Sequence, residues 1–345
     1  INTFESNVIF GTSGTISVSK IGNKGSTTSN LGQGTTLRFT SGRLLYTGVG
    51  ETSDRLIQME NSMILDHSGT GELVFSSDFN VLGNTKTLTL QGSTAGIGEI
   101  SGIVSNGSAT TSLTKDGTGT WRLSAANSYA GSTTVRCGTL SLTGANGAIA
   151  SSSGYTINLG ATLLLENTSA ANNGNRLNGN GVTMNGGTLR FANNGGSVNY
   201  SESVGALSIA QNTNTVATDR AAPGQTSTLT FASLSHTAGA TVNFTGVGLG
   251  VDGRNKIMFT AAPALINGLI GSWATVNGTN LAAYSATLGV YASPEPAYTD
   301  IAARGPSSTI VSNDASFVRI NSPGESGPIL LGAPVTRVAS LSQNT

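Results

Sequence analysis

Chemistry in this chain would have to come from very few side chains: His67, His236, Cys137 and the carboxylates gathered between Glu51 and Asp78. Two distant histidines and one cysteine do not complete a zinc set, which takes four protein ligands in a structural site and three plus water in a catalytic one. Both histidines read as surface or strand-end residues, and His236, set between Ser235 and Thr237, has no adjacent carboxylate to orient it. A single cysteine forms no intramolecular disulfide, so Cys137 is expected to be a small apolar filler at an inward strand position.

The acidic stretch holds Glu51, Asp54, Glu60, Asp66, Glu72 and Asp78, with Arg55 and His67 among them. Glycoside hydrolysis needs two carboxylates held about 5 to 9.5 Å apart, and a lyase needs a basic group beside a cation. No pair here stands one strand register apart in matched context, so a solvated face is the expected reading. The turn Val251–Asn255 offers one carboxylate, Asp252, beside Arg254, too little for calcium. Gly246, Gly248 and Gly250 suggest a phosphate loop, but no Gly-Lys-Ser/Thr follows, and they read as a turn. Asn-x-Ser/Thr matches at Asn106, Asn167, Asn243 and Asn277 are expected by chance in such a composition. The expectation is therefore no catalytic residue, no cofactor and no metal.

The elements that would carry these residues are short strands. Only 10% of the residues are charged, against roughly a quarter in an ordinary globular protein, and 47 of 345 are glycine. With 17 basic and 17 acidic residues the formal charge is zero, which leaves no field to attract nucleic acid or an anionic membrane. No apolar run approaches the roughly 18 residues of a membrane-spanning helix. Ile1–Phe10 lacks the basic start and apolar run of a signal peptide, so an export signal is expected to lie outside this sequence.

A turn rich in Gly, Asn or Thr followed by alternating apolar and polar residues recurs along the chain, as in Gly34–Phe39, Gly71–Phe75, Gly119–Leu123, Gly138–Thr143 and Gly187–Phe191. Trp121, Leu140, Leu163 and Leu189 follow one another at intervals of 19, 23 and 26 residues. A near-constant spacing of this size predicts a right-handed parallel β-helix, a β-solenoid in which each coil buries its inward side chains against the next. Roughly 14 to 17 rungs would give a rod of about 65 to 80 Å at the strand spacing. The rival is an antiparallel sandwich closed by Asn-Gly turns such as Asn146-Gly147, Asn185-Gly186 and Asn267-Gly268. The same Gly-Thr-Leu opening at strand after strand favours the coil. Loops are expected over about 19–34, 167–181 and 210–228, a short helix over 263–270, and a loop-rich stretch over 291–308, all within one solenoid spanning 1–345.

Residues 113–142 then resemble the autotransporter-associated β-strand repeat. The positions that carry the resemblance are Lys115, Gly117, Gly119 and Thr120; then Asn127, Tyr129 and Gly131; then Thr133, Thr134, Val135, Gly138 and Leu140. Trp121 stands where the family has Leu and Cys137 where it has a small residue. The resemblance implies an exported, non-enzymatic passenger at a bacterial surface. On this reading the chain is a structural or adhesive component, with end-to-end self-association between solenoid edges, or a passenger that holds a glycan or host receptor through loops or through Tyr291 and Tyr298. A polysaccharide-active β-helix enzyme is the third class.

Overall fold

The computed structural model describes residues 2, 4–11, 13–195, 198–293, 299–301, 309–321, 330–331, 335–336 and 338–344. Every regular element in them is a strand, and nearly every pairing is parallel. Three successive segments make one coil. The first forms one side of the rod, the second enters a sheet of ten strands that runs from Thr15–Val18 to Leu234–His236, and the third enters a sheet of twelve that runs from Glu51–Ser53 to Gly289–Ala292. The chain therefore winds about ten times, fewer than the 14 to 17 rungs expected, because a coil with its turns takes 19 to 32 residues and, among the described residues, the last part of the chain adds no coil to this stack.

Alternation makes the core. In the twelve-stranded sheet Trp121, Leu140, Leu163, Leu189, Val216, Phe244 and Val276 occupy one inward column, each paired in register with the next. All are within 1% of full burial. Trp121 fits because its register partner one coil earlier is Gly98, where a Cβ would lie 2.6 Å from the indole ring. The indole Nε1–H donates to the Gln91 carbonyl at 2.8 Å.

The first side of the rod is less regular. It is sheet over Val8–Phe10, Thr36–Phe39, Leu56–Met59 and Asn80–Val81, and again over Tyr200–Val204, Ser227–Phe231 and Asn255–Phe259. Between these, the buried side chains of Val104, Tyr129, Ile149 and Leu177 fill the column without strand pairing. Asn127 takes over the bonding there: its Oδ1 accepts the Val104 N–H at 2.9 Å, and its amide donates to Ala125 O at 2.9 Å and Ala148 O at 3.1 Å.

The parallel stack ends at Ala274–Val276. The next strand, Asn280–Ser285, pairs antiparallel with it, and Gly289–Ala292 pairs antiparallel in turn. This hairpin lays Ala282 and Val290 over the end of the core. It also meets the last strand of the first side: the Tyr284 hydroxyl accepts the Phe259 N–H at 3.1 Å and donates to the Phe259 carbonyl at 2.9 Å. End-to-end stacking through this edge would require the hairpin to leave. Beyond it, Thr299–Ile301, Asn313–Asn321 and Val338–Asn344 form a parallel sheet of their own, as do Thr309–Ile310 and Leu330–Leu331.

Several expectations change. The helix over 263–270 is absent: Asn267 and Gly268 have φ of 52° and 83°, and they close a tight turn between Ile266 and Leu269 in place of a helical turn. The stretch 210–228 is not a loop throughout, since Thr213–Thr218 is a strand and only the residues between it and Ser227 form an excursion. The residues 167–181 contribute Arg176 and Leu177 to the interior. Within 291–308, Thr299–Ile301 is strand, and residues 294–298 and 302–308 lie outside the described residues, Tyr298 with them.

Candidate functional site

Most of the reactive side chains that the sequence singles out are held in internal contacts, Cys137 excepted. Glu51 accepts the backbone N–H of Ile21 at 2.5 Å and of Gly22 at 2.8 Å, and so pins the loop over 19–34 to the coil above. Asp54 accepts the Lys24 N–H and Asp78 the Ile103 N–H, at 2.8 and 2.7 Å. Asp66, nearly buried, pairs with Arg43 at 2.8 Å and accepts from Ser68 and Gln91. Glu60 pairs with Arg38 at 2.7 Å, and Glu72 with Arg122 at 2.9 Å. The acidic stretch thus works as a set of acceptors that tie loops and neighbouring coils. Asp252 lies between Arg220 and Arg254 at 3.6 and 3.9 Å, which neutralises the one carboxylate of that turn.

His67 takes the strand-end position, one of the two expected for it, at the end of Met63–His67, and is buried there, 2% exposed. Its Nε2 lies 2.7 Å from the Gly71 carbonyl, and His236 makes the same contact four residues on, 2.9 Å from the Ala240 carbonyl. Each histidine ends a strand of the ten-stranded sheet and braces the corner into the next sheet. Burial lowers the His67 pKa below its ordinary value. His236 stacks flat on Trp273, ring centres 4.1 Å apart. Cys137 is exposed, contrary to the inward position expected: the strand Thr133–Val135 has ended two residues before it, and the chain is already in the corner turn.

Buried cations form the second group. Lys115 is fully buried, and its ammonium donates to the carbonyls of Asp116, Gly117 and Cys137 at 2.6, 2.8 and 3.1 Å, so it holds two successive corners together. Burial pushes its pKa down to about 8, which leaves it an ammonium at neutral pH. Arg55 does the same with the carbonyls of Gly22, Leu31 and Gly32, and Arg176 with those of Gly144, Gly147 and Glu166. Glu202, pushed up to about 7 by burial, accepts the N–H groups of Arg176 and Leu177. These groups satisfy backbone that strand pairing leaves open.

Charged pairs such as Arg122–Glu72 and Arg190–Asp219 lie on the outside of the twelve-stranded sheet, whereas the ten-stranded sheet presents a neutral outward column over its middle coils. On the ten-stranded sheet one outward column runs in register from Thr89 through Thr114, Thr134, Thr156 and Thr183 to Ser208. Beside it, at the corner with the first side of the rod, two troughs open. One, of about 410 Å³, lies over the early coils and is bordered by Ser13, Ser41, Ser62 and Arg43. The other, of about 370 Å³, lies over the later coils between Ser132, Thr156, Thr183 and Ser208, with Gly154, Gly181 and Ala206 as its floor. No charged residue borders the second trough. Sequence reading passed over these residues because a threonine among many carries no local signal; the register that lines them up becomes visible only across coils. Among the described residues no group of three or more His, Cys, Asp or Glu could hold a metal ion, and no helix is long and apolar enough to cross a membrane.

The repeat at 113–142 is explained position by position. Gly117 and Gly138 take positive φ of 64° and 60° at the corners that Lys115 holds. The Tyr129 hydroxyl meets Thr133 Oγ1 at 2.8 Å, which meets Ser152 Oγ of the next coil at 2.9 Å. A Cβ at Gly131 would strike the Thr111 carbonyl.

Comparison with known proteins agrees with this geometry. Residues 113–142 match the passenger-associated-transport-repeat. The chain is 38% identical over 130 residues, 36% of its length, to the adhesin BmaC autotransporter of Brucella suis biovar 1 (strain 1330), of which the match spans 4%. No solved structure matches the chain. The repeat at 113–142 and this similarity support an autotransporter passenger repeat protein.

Proposed function

We propose that the chain is a rod segment in the passenger of a bacterial surface adhesin, exported and exposed at or released from the cell surface, which acts by lateral binding and not by catalysis. The observation that carries this reading is the division of labour between inside and outside. Carboxylates and buried cations bind the protein's own backbone and side chains, whereas one face turned to solvent carries a hydroxyl in register on six successive coils, from Thr89 to Ser208. Stacked coils with matched columns give a stiff scaffold, and binding groups repeated along it suit a surface that contacts its partner at many weak points. The similarity to an autotransporter adhesin supports the same role. A filament assembled end to end would have to use an edge other than the one the 280–292 hairpin covers.

The test is display of this chain as the passenger of a heterologous outer-membrane translocator, with adhesion of the displaying cells to host-cell and bacterial surfaces measured against cells carrying the translocator alone. Adhesion above that background is expected. Equal adhesion, with the chain shown to be folded at the surface, would overturn the reading.

A further inference from the structure

We infer that the trough over the later coils is a binding site for an uncharged polysaccharide strand lying parallel to the rod axis, an inference that rests on the adhesin reading and narrows it to one ligand class. Three observations meet in this trough. The hydroxyls of Thr156, Thr183 and Ser208 stand in register along one wall and make no hydrogen bond to another described residue. Each is both donor and acceptor, and they recur at the strand spacing of about 4.8 Å. A polymer with hydroxyls repeated along its length can meet such a wall in several registers.

The floor of the trough is open by composition and not by demand of the fold. Gly154 and Gly181 are absent from the positions with positive φ, and a Cβ at either would meet only one carbonyl, at 3.6 and 3.4 Å. That is ordinary contact, unlike Gly131 or Gly98, where packing requires the glycine. A side chain at 154 or 181 would simply fill the trough.

The remaining macromolecular ligands fit poorly. A peptide strand has no edge to join, because the backbone groups of the floor are already bonded from coil to coil: Thr133 N–H to Gly154 O at 3.0 Å, Tyr155 N–H to Gly181 O at 3.0 Å, Val182 N–H to Ala206 O at 2.9 Å. Nucleic acid and acidic glycans would find no cation there. The trough also lacks an exposed aromatic ring, since Tyr155 is buried and its hydroxyl donates to Ile149 O and Leu177 O. Short saccharides therefore bind weakly, and affinity climbs with chain length as more coils are engaged.

The experiment is titration of the whole chain with neutral gluco-, manno- and galacto-oligosaccharides of two to eight units and with hyaluronate as an acidic control, read by nuclear magnetic resonance or microarray. At least one neutral series should bind with affinity rising on lengthening, and hyaluronate should not. Gly181→Phe should abolish binding, and Thr156→Val with Thr183→Val, which keeps shape and strand preference, should weaken it about tenfold. The valine pair guards against misfolding of the phenylalanine variant. Absence of binding in all three neutral series, equal binding of hyaluronate, or unchanged affinity in the valine pair would overturn the inference. If the same variants leave the adhesion of displaying cells intact, the trough is wrong and the adhesin reading survives; if wild-type cells do not adhere, the adhesin reading itself fails.

Discussion

The coil that contains residues 113–142 and the coil that closes the stack, from Asn255 to Ala292, are built from the same kinds of strand and do opposite things. In the first, every strand has a parallel partner on both sides, Lys115 locks one corner to the next, and Trp121 fills the space left by Gly98 in the coil before. Nothing in it stops propagation. In the second, the chain turns back on itself, pairing becomes antiparallel, and one tyrosine hydroxyl satisfies both backbone groups of Phe259 at an edge with no further strand among the described residues. The difference teaches that, among the described residues, this stack of coils is closed by a change of strand direction.

That contrast can be broken at either coil. Trp121→Ala should have the largest effect, about 3–5 kcal/mol, from loss of a buried indole and the cavity it leaves above Gly98. Denaturant unfolding would show the loss, and hydrogen exchange should rise first in the neighbouring coils. Lys115→Met should cost about 2 kcal/mol by leaving corner carbonyls without a donor, read from the same unfolding curves. Tyr284→Phe should cost about 1–2 kcal/mol by orphaning the Phe259 groups, with faster amide exchange over 255–259 and none over 120–142. A shared loss across both coils would mean that the stack melts as one unit and that the cap is not local.

The smallest effect concerns the corner histidines. His67 has its pKa lowered by burial, and its Nδ1 finds no hydrogen-bond partner. The neutral form is favoured on folding, so its contribution is complete above the unfolded value of about 6.5 and is lost as pH falls through the lower folded value. Stability of the early coils should therefore drop on acidification below pH 6.5, and His67→Gln should flatten that dependence. An unchanged slope would remove His67 as its source.

Much of the fold was legible because a solenoid repeats its reasons. The alternation in Gly119–Leu123 and Gly138–Thr143 names the inward residues correctly, and the spacing of Trp121, Leu140 and Leu163 is the register itself. The helix over 263–270 failed because Ile266, Leu269, Ile270 and Trp273 do share a helical face in spacing, but Asn267-Gly268 prefers the left-handed backbone of a tight turn. Cys137 was misplaced because alternation was carried past the end of its strand. The troughs were illegible for a different reason: each wall residue comes from a separate coil, and threonine looks alike whether it faces a ligand or bulk solvent.

Parallel register from coil to coil underlies every part of this account, and one cross-linking measurement tests it directly. With Cys137 replaced by serine, cysteines placed at Thr134 and Thr156, which are register partners on adjacent coils, should form a disulfide readily under mild oxidation. Cysteines at Thr134 and Thr183, two coils apart, should not. Efficient cross-linking of the second pair, or failure of the first in a folded protein, would contradict the parallel stack.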